Sequence, residues 1–140
     1  MKKLLIFLVA FTSVHSFSQT KDEIAIRKVM NDQVIAWNNG NVEEFMKGYW
    51  NNDSVIFMGK EGPNYGYTTT LKNYKKGYPD TVAMGKLSFT FDLMKKLSAD
   101  YYFIVGKFYL KRSIGDAKGV FTLLLRKING EWKIVVDHTS

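Results

Sequence analysis

The pair Asn129-Gly130, set between two runs in which apolar and polar residues alternate, constrains this chain more than any other feature. Asn and Gly both accept positive φ, so the pair predicts a two-residue type I′ hairpin turn. That turn fixes register: Ile128 opposes Glu131, Leu125 opposes Ile134, Leu123 opposes Val136 and Phe121 opposes His138. Two more β-rich runs precede it, Lys86 to Leu97 and Tyr101 to Arg112. A two-residue turn at Ala99-Asp100 sets Leu97 against Tyr102, Phe91 against Phe108 and Phe89 against Leu110. The longer Ser113 to Lys118 connection then sets Leu110 against Phe121 and Phe108 against Leu123.

These registers agree on one apolar face. The first two strands contribute Phe89, Phe91, Leu93, Tyr102, Ile104, Phe108 and Leu110 to it. The last two contribute Phe121, Leu123, Leu125, Trp132, Ile134, Val136 and His138. Asp92, Lys107, Tyr109, Thr122 and Asp137 fall on the other face. A one-residue slip would carry the whole apolar set into water, so the pattern specifies the pairing strongly. Lys95 is the misfit on the apolar face, and it points to a bulge or a strand end nearby.

The first half of the chain has a different period. From Asp22 to Asn38, Ile26, Met30, Val34 and Trp37 fall at the spacing of an amphipathic helix. Asn38-Asn39-Gly40 ends it, and Asn41 caps a second helix whose apolar face is Phe45, Met46 and Tyr49. Ser54 to Met58 reads as a short strand and Gly59 to Gly66 as a loop. Thr68 to Lys76 reads as a third helix, with Leu71 and Tyr74, then Tyr78, on one side. The expected architecture is α+β, with a curved antiparallel sheet packed against N-terminal helices.

Composition narrows the function. With 3 Trp, 8 Tyr and 10 Phe among 140 residues, the chain can bury the core of a single domain. Zero Cys excludes a disulfide scaffold, a thiol nucleophile and a thiolate zinc site, and two His leave little for a histidine cluster. No metal or other cofactor is expected. The net charge of +7 is spread over several elements, without the motif of an RNA reader. It reads as a solvated basic face, and nucleic acid is not an expected partner.

Lys2-Lys3, the apolar run Leu4 to Phe11 and the small residues of Ser16-Phe17-Ser18 have the form of a secretory signal peptide. Residues 1–18 are therefore expected to be a leader and residues 19–140 the domain. The processed protein is expected to be exported, periplasmic or extracellular, with no integral membrane segment.

Trp37-Asn38-Asn39-Gly40-Asn41, Asp53-Ser54-Val55-Ile56-Phe57, Gly130-Glu131-Trp132-Lys133-Ile134 and the closing Asp137-His138-Thr139-Ser140 carry a family resemblance. Over nearly all of its length after the leader, the chain resembles the nuclear transport factor 2-like superfamily. That superfamily includes ketosteroid isomerases, scytalone dehydratase, polyketide cyclases and small exported proteins of unassigned function, and the last are the most similar. The resemblance implies a cone-shaped half-barrel enclosing one pocket. Function must still be argued from the site.

His138 is the sole histidine after the leader, and register sets it inward beside Phe121. It is a candidate general acid or base, with Tyr49 or Tyr74 as phenolic partner. Its plain alternative is a core-edge histidine bonded to a neighbour. On a regular strand Asp137 points the opposite way, so Asp137-His138 is no catalytic dyad. Asp53 reads as turn or cap chemistry, with a carboxylate at the pocket mouth as its alternative, and Asp92 as a cross-strand partner of Lys107. Trp37, Trp50, Phe57, Tyr67 and Tyr78, together with Phe89, Phe108 and Phe121 from the sheet, are candidate ligand walls.

Ketosteroid-isomerase chemistry needs a carboxylate base facing an apolar cavity. The expected concave face carries none, and that counts against such chemistry. No P-loop, dinucleotide fingerprint or nucleophile elbow occurs either. The leading expectation is an exported domain that binds a small apolar or aromatic molecule and has no chemistry of its own. The alternative is a cofactor-free lyase, isomerase or cyclase using His138 and a pocket tyrosine. A third reading is an assembly module, a homodimer through the outer sheet face around Tyr109 and Thr122.

Overall fold

The computed structural model describes residues 20–140, and the leader read at 1–18 lies outside the described residues. Helix α1 spans Lys21–Asn38, and the Thr20 hydroxyl caps it by accepting the Glu23 N–H at 3.2 Å. Ile26, Met30 and Trp37 form its buried stripe as the spacing predicts, but Gln33 rather than Val34 takes the fully buried place between them. The Gln33 amide donates to the Phe45 carbonyl at 3.1 Å, which satisfies a polar group that is only 2% exposed. Near the start of α1, Asp22 accepts from Lys127 at 2.8 Å, Lys96 at 3.2 Å and the Trp132 indole at 3.3 Å. These donors, Lys127 foremost, hold its carboxyl down at about 2 and tie the helix to the sheet.

Gly40 turns the chain with φ +75°, and the Asn41 side chain caps α2, Val42–Met46, by accepting the Glu44 N–H at 3.0 Å. The chain then forms β1, Ile56–Gly59, and β2, Gly62–Tyr65, before α3, Tyr67–Gly77, and a short α4, Thr81–Met84. Strands β3, Lys86–Lys96, β4, Tyr101–Lys111, β5, Ala117–Ile128, and β6, Glu131–Thr139, follow. The segment expected to be a loop contains β2, an edge strand in which Pro63 sits opposite Met58. An edge position tolerates the missing N–H.

The sheet has six strands in the order β2-β1-β6-β5-β4-β3. The last four are antiparallel as expected, whereas β1 runs parallel to β6, so the sheet as a whole is mixed. The helices cover its concave face, and Ile26, Met30, Met46, Ile104, Leu125 and Ile134 are fully buried between the layers. Each such side chain contributes roughly 1.5–3 kcal/mol through removal from water. Among the described residues, no helix is long and apolar enough to cross a membrane. On the outer face Tyr109 is exposed and Thr122 half-buried.

The turn at Asn129 and Gly130 has φ values of 50° and 81°, as a type I′ turn requires. Ile128 opposes Glu131 and Leu125 opposes Ile134, both as expected. Beyond that point the register slips: Leu124 faces Val136, Leu123 faces Asp137, Thr122 faces His138 and Phe121 faces Thr139. Val135 is the extra residue of a β-bulge. Here β6 changes its other neighbour, from the Gly48–Trp50 segment hydrogen-bonded on both sides of Ile134 to β1, where Ile56 pairs with Val136. The bulge inverts the end of the strand. His138 is exposed on the outer side, and Asp137 is buried on the inner one.

A second bulge, at Asp92, corrects the β3–β4 pairing. The connection runs from Leu97 to Asp100, so Lys96 rather than Leu97 faces Tyr102, and Phe89 rather than Phe91 faces Phe108. Met94 then turns inward while Leu93, 44% exposed, and Lys95 turn outward, which removes the Lys95 misfit. Asp92 and Lys107 form the expected cross-strand ion pair at 3.3 Å. Between β4 and β5, Phe108 faces Gly119 and Gly106 faces Phe121, not the expected partners. That displacement is even, so every side chain keeps its face.

Candidate functional site

Between the helices and the concave sheet lies a cavity of about 270 Å³. Helix α1 contributes Met30, Gln33 and Trp37 to its wall; α2 and the residues after it contribute Phe45 and Tyr49. Phe57 comes from β1, and Thr70, Asn73 and Tyr74 from α3, with Tyr78 beyond its end. The floor is Leu87 and Phe89 of β3, Phe108 and Leu110 of β4, Phe121 and Leu123 of β5, and Ile134, Asp137 and Thr139 of β6. The helical rings form a continuous cluster: Trp37 packs edge-on to Phe45 at 4.9 Å and to Tyr78 at 4.7 Å, and Tyr74 touches Phe45 at 5.2 Å and Phe57 at 5.6 Å.

Two glycines leave room for the phenylalanine rings of the floor. A Cβ on Gly106 would stand 2.6 Å from the Phe121 ring and 2.5 Å from the Thr90 carbonyl oxygen. One on Gly119 would stand 2.6 Å from the Phe108 ring. Each phenylalanine thus lies across the glycine opposite it on the neighbouring strand.

One carboxylate stands in this apolar wall. Asp137 is only 4% exposed. Its Oδ2 accepts from the Tyr49 hydroxyl at 2.5 Å, and its Oδ1 from the Thr139 hydroxyl at 2.6 Å. The Tyr74 and Tyr49 hydroxyls lie 3.2 Å apart. With the Tyr49 proton committed to Asp137, Tyr74 is the donor of that contact. Burial pushes the Asp137 carboxyl up to about 6, although the bonds from Thr139 and Tyr49 pull the other way. Burial and the facing carboxylate push the Tyr49 and Tyr74 phenols well above their ordinary range, so both stay protonated at neutral pH. A carboxyl poised near neutrality can bind a cation or a hydrogen-bond donor, and can also take up a proton. Among the described residues, no Lys, Arg or His lines the cavity. Among the described residues, no group of three His, Cys, Asp or Glu is placed to hold a metal ion.

No family model and no curated protein matches this sequence. Solved structures do. A nuclear transport factor 2-like protein of unknown function from Shewanella oneidensis is 38% identical, with a TM-score of 0.81, over 84% of this chain and 97% of that one. The chain belongs to the nuclear transport factor 2-like family. Two more distant structures share the fold. A ketosteroid isomerase-like protein from Erwinia carotovora is 17% identical with a TM-score of 0.65, covering 87% of this chain and 97% of that one. A nuclear transport factor 2-like protein of unknown function from Pseudomonas putida is 14% identical with a TM-score of 0.69, covering 87% of each.

In this nuclear transport factor 2-like domain, Trp37, Tyr49, Phe57, Tyr74, Tyr78, Phe89, Phe108 and Phe121 all line the cavity. Trp50 and Tyr67 pack against the core but stand outside the cavity wall. His138 is displaced altogether: the Val135 bulge sets it on the exposed face, away from the cavity, and gives Asp137 the inward place. Asp53 is exposed and outside the wall, and the turn there is closed by Asn52, whose side chain accepts the Ser54 N–H at 2.9 Å.

Sequence reasoning missed Asp137, Thr139, Gln33, Phe45, Thr70 and Asn73 as wall residues. A signal for the first two was present. Ile134-Val135-Val136 breaks the alternation with three successive β-branched residues, a pattern that an extra residue in the strand accommodates. Gln33 and Thr70 gave no such sign, because a buried amide or hydroxyl becomes legible only once its backbone partner is placed.

Proposed function

We propose that this nuclear transport factor 2-like domain binds a small, largely apolar molecule in the aromatic cavity and holds its polar end at Asp137. The observation that carries this reading is a cavity of about 270 Å³ in whose wall, among the described residues, one carboxylate stands. A volume of that order suits a molecule of one or two rings, and an apolar wall with few placed polar groups is the usual form of a ligand site. Export of the domain is part of the same proposal and rests on the basic, apolar and small-residue pattern of residues 2–18.

Thermal-shift measurements with one-ring apolar and aromatic compounds test the reading. A ligand at a hundred times its Kd stabilises the folded state by about 2.7 kcal/mol. The shift should vanish in Leu123→Phe, which fills the cavity floor. Compounds that stabilise the wild type and this variant equally would contradict the reading.

Asp137 also favours a second reading, a cofactor-free lyase, isomerase or cyclase. The base is then Asp137 and not His138, with the Tyr49 hydroxyl, itself backed by Tyr74, holding the carboxylate in place. A carboxyl near 6 in an apolar site suits proton abstraction close to neutral pH. Turnover of a bound compound that is lost in Asp137→Asn while binding persists would support this reading. Turnover unchanged in that variant would end it.

A further inference from the structure

From the unbalanced charge in this cavity we infer that the ligand is a protonated amine on a small apolar or aromatic body, with Asp137 as its counter-ion. The inference rests on the binding reading above and goes further, to the chemistry of the ligand's head.

Asp137 is buried, yet its partners are the neutral hydroxyls of Tyr49 and Thr139. Buried charges in folded proteins are usually paired with an opposite charge, because hydroxyl donors offset only part of the lost hydration. Among the described residues no cation forms an ion pair with Asp137: Lys75 pairs with Glu43, Lys47 with Glu44 and Lys133 with Glu131. His138, one residue on, faces the opposite side and only draws the carboxyl down by its charge. Each Asp137 oxygen accepts one hydrogen bond from the protein, which leaves acceptor capacity for an ammonium donor.

The surrounding wall suits such a head. Trp37, Phe45, Tyr49, Phe57, Tyr74 and Tyr78 bring one cluster of electron-rich rings into the wall, and it reaches Asp137 through Tyr49. A carboxylate combined with aromatic rings is the chemistry that recognises organic ammonium groups. A neutral alcohol or ketone at the same place leaves the charge unbalanced, and an anion is repelled by it.

The facing groups leave Asp137 as the one that titrates between about pH 5 and 8. From α1 the wall receives Met30, Gln33 and Trp37, which do not ionise. From the residues after α2 it receives Tyr49 and from α3 Tyr74, with Tyr78 beyond, and burial pushes all three phenols upward. The wall residues from β1 and β3–β5 are apolar, and His138 faces the opposite side.

Calorimetric titration of the full chain with phenethylamine, phenethyl alcohol and phenylacetate tests the inference, since the three share a body and differ in head charge. At about pH 7.5 the amine should bind at least about tenfold tighter than the alcohol, with phenylacetate weakest. Asp137→Asn should erase the amine's advantage and leave the alcohol within about threefold. Lowering the pH to about 5 should weaken the wild type's grip on the amine about tenfold, as the carboxylate takes up a proton, and leave the alcohol unchanged. The pH arm needs no variant and stands even if Asp137→Asn misfolds. An alcohol that binds as tightly as the amine would overturn the inference and leave the cavity reading intact. Failure of all three to bind would overturn both.

Discussion

Tyr49 donates its hydroxyl proton to Asp137 at 2.5 Å, joining the residues after α2 to the end of β6 across 88 positions of sequence. Neither partner reaches the other without the bulge at Val135, because a regular β6 would turn Asp137 to the outer face. The polar end of the cavity therefore depends on one extra residue in one strand.

Stability should carry the imprint of that buried carboxyl. Its folded value, about 6, lies above the ordinary 3.8, so the folded state holds the proton more tightly than the unfolded chain. The benefit is fully present below about pH 3.8 and is lost as pH rises through about 6. Converted at 1.36 kcal/mol per unit, the swing is about 3 kcal/mol. Urea unfolding of the wild type and Asp137→Asn at several pH values should show the Asn variant gaining relative stability by about that amount between about pH 3.5 and 7. A constant difference across this window would mean that Asp137 is not buried.

Removing the Tyr49 hydroxyl should make the carboxylate harder to form. In Tyr49→Phe, Asp137 keeps only Thr139 as donor, and a lost hydrogen bond to a charged group costs about 1.5–3 kcal/mol. The Asp137 midpoint should therefore rise above its wild-type value, as followed by carbon-detected NMR of the carboxyl group. Tyr74→Phe should move it much less, since the Tyr74 hydroxyl contacts Tyr49 and not the carboxylate. Equal shifts in the two variants would contradict this order of contacts.

The glycine floor predicts a loss of cavity space. Gly106→Ala forces either Phe121 or the β3 backbone to move, because the new methyl would stand 2.6 Å from the ring and 2.5 Å from the Thr90 oxygen. Overpacking of this kind costs about 1–3 kcal/mol. Any ligand that stabilises the wild type should also bind the variant more weakly. An unchanged melting temperature together with unchanged binding would show that Phe121 has room elsewhere.

His138→Ala should alter little. The side chain is exposed and outside the cavity, so the expected change in stability is within about 0.5 kcal/mol. Ligand affinity should not change. A loss of binding in this variant would return the histidine to the site and contradict the bulge.

The elements that sequence reasoning placed correctly are those fixed by local chemistry. Asn129-Gly130 dictated its own turn, Asn41 its cap, and the spacing of Ile26, Met30 and Trp37 its helix face. The mispairing of β4 with β5 did no harm, since an even slide preserves which side chains face inward. The two bulges lie in a different class. Lys95 advertised the one at Asp92, because a lysine on the core face needs an explanation. The one at Val135 left a weaker trace, the run Ile134-Val135-Val136: His138 could sit inward as plausibly as Asp137 could sit outward, and the neighbour exchange on β6 decides between them. The aromatic wall was thus legible in the chain, and the carboxylate at its polar end was not.

The carboxyl titration of wild-type Asp137, followed by carbon-detected NMR on the uniformly labelled protein, is the most direct test. A midpoint near 6 is the expected result, set by burial in the aromatic cavity. A midpoint at or below the ordinary 3.8 would put the side chain in water and remove the polar end of the site.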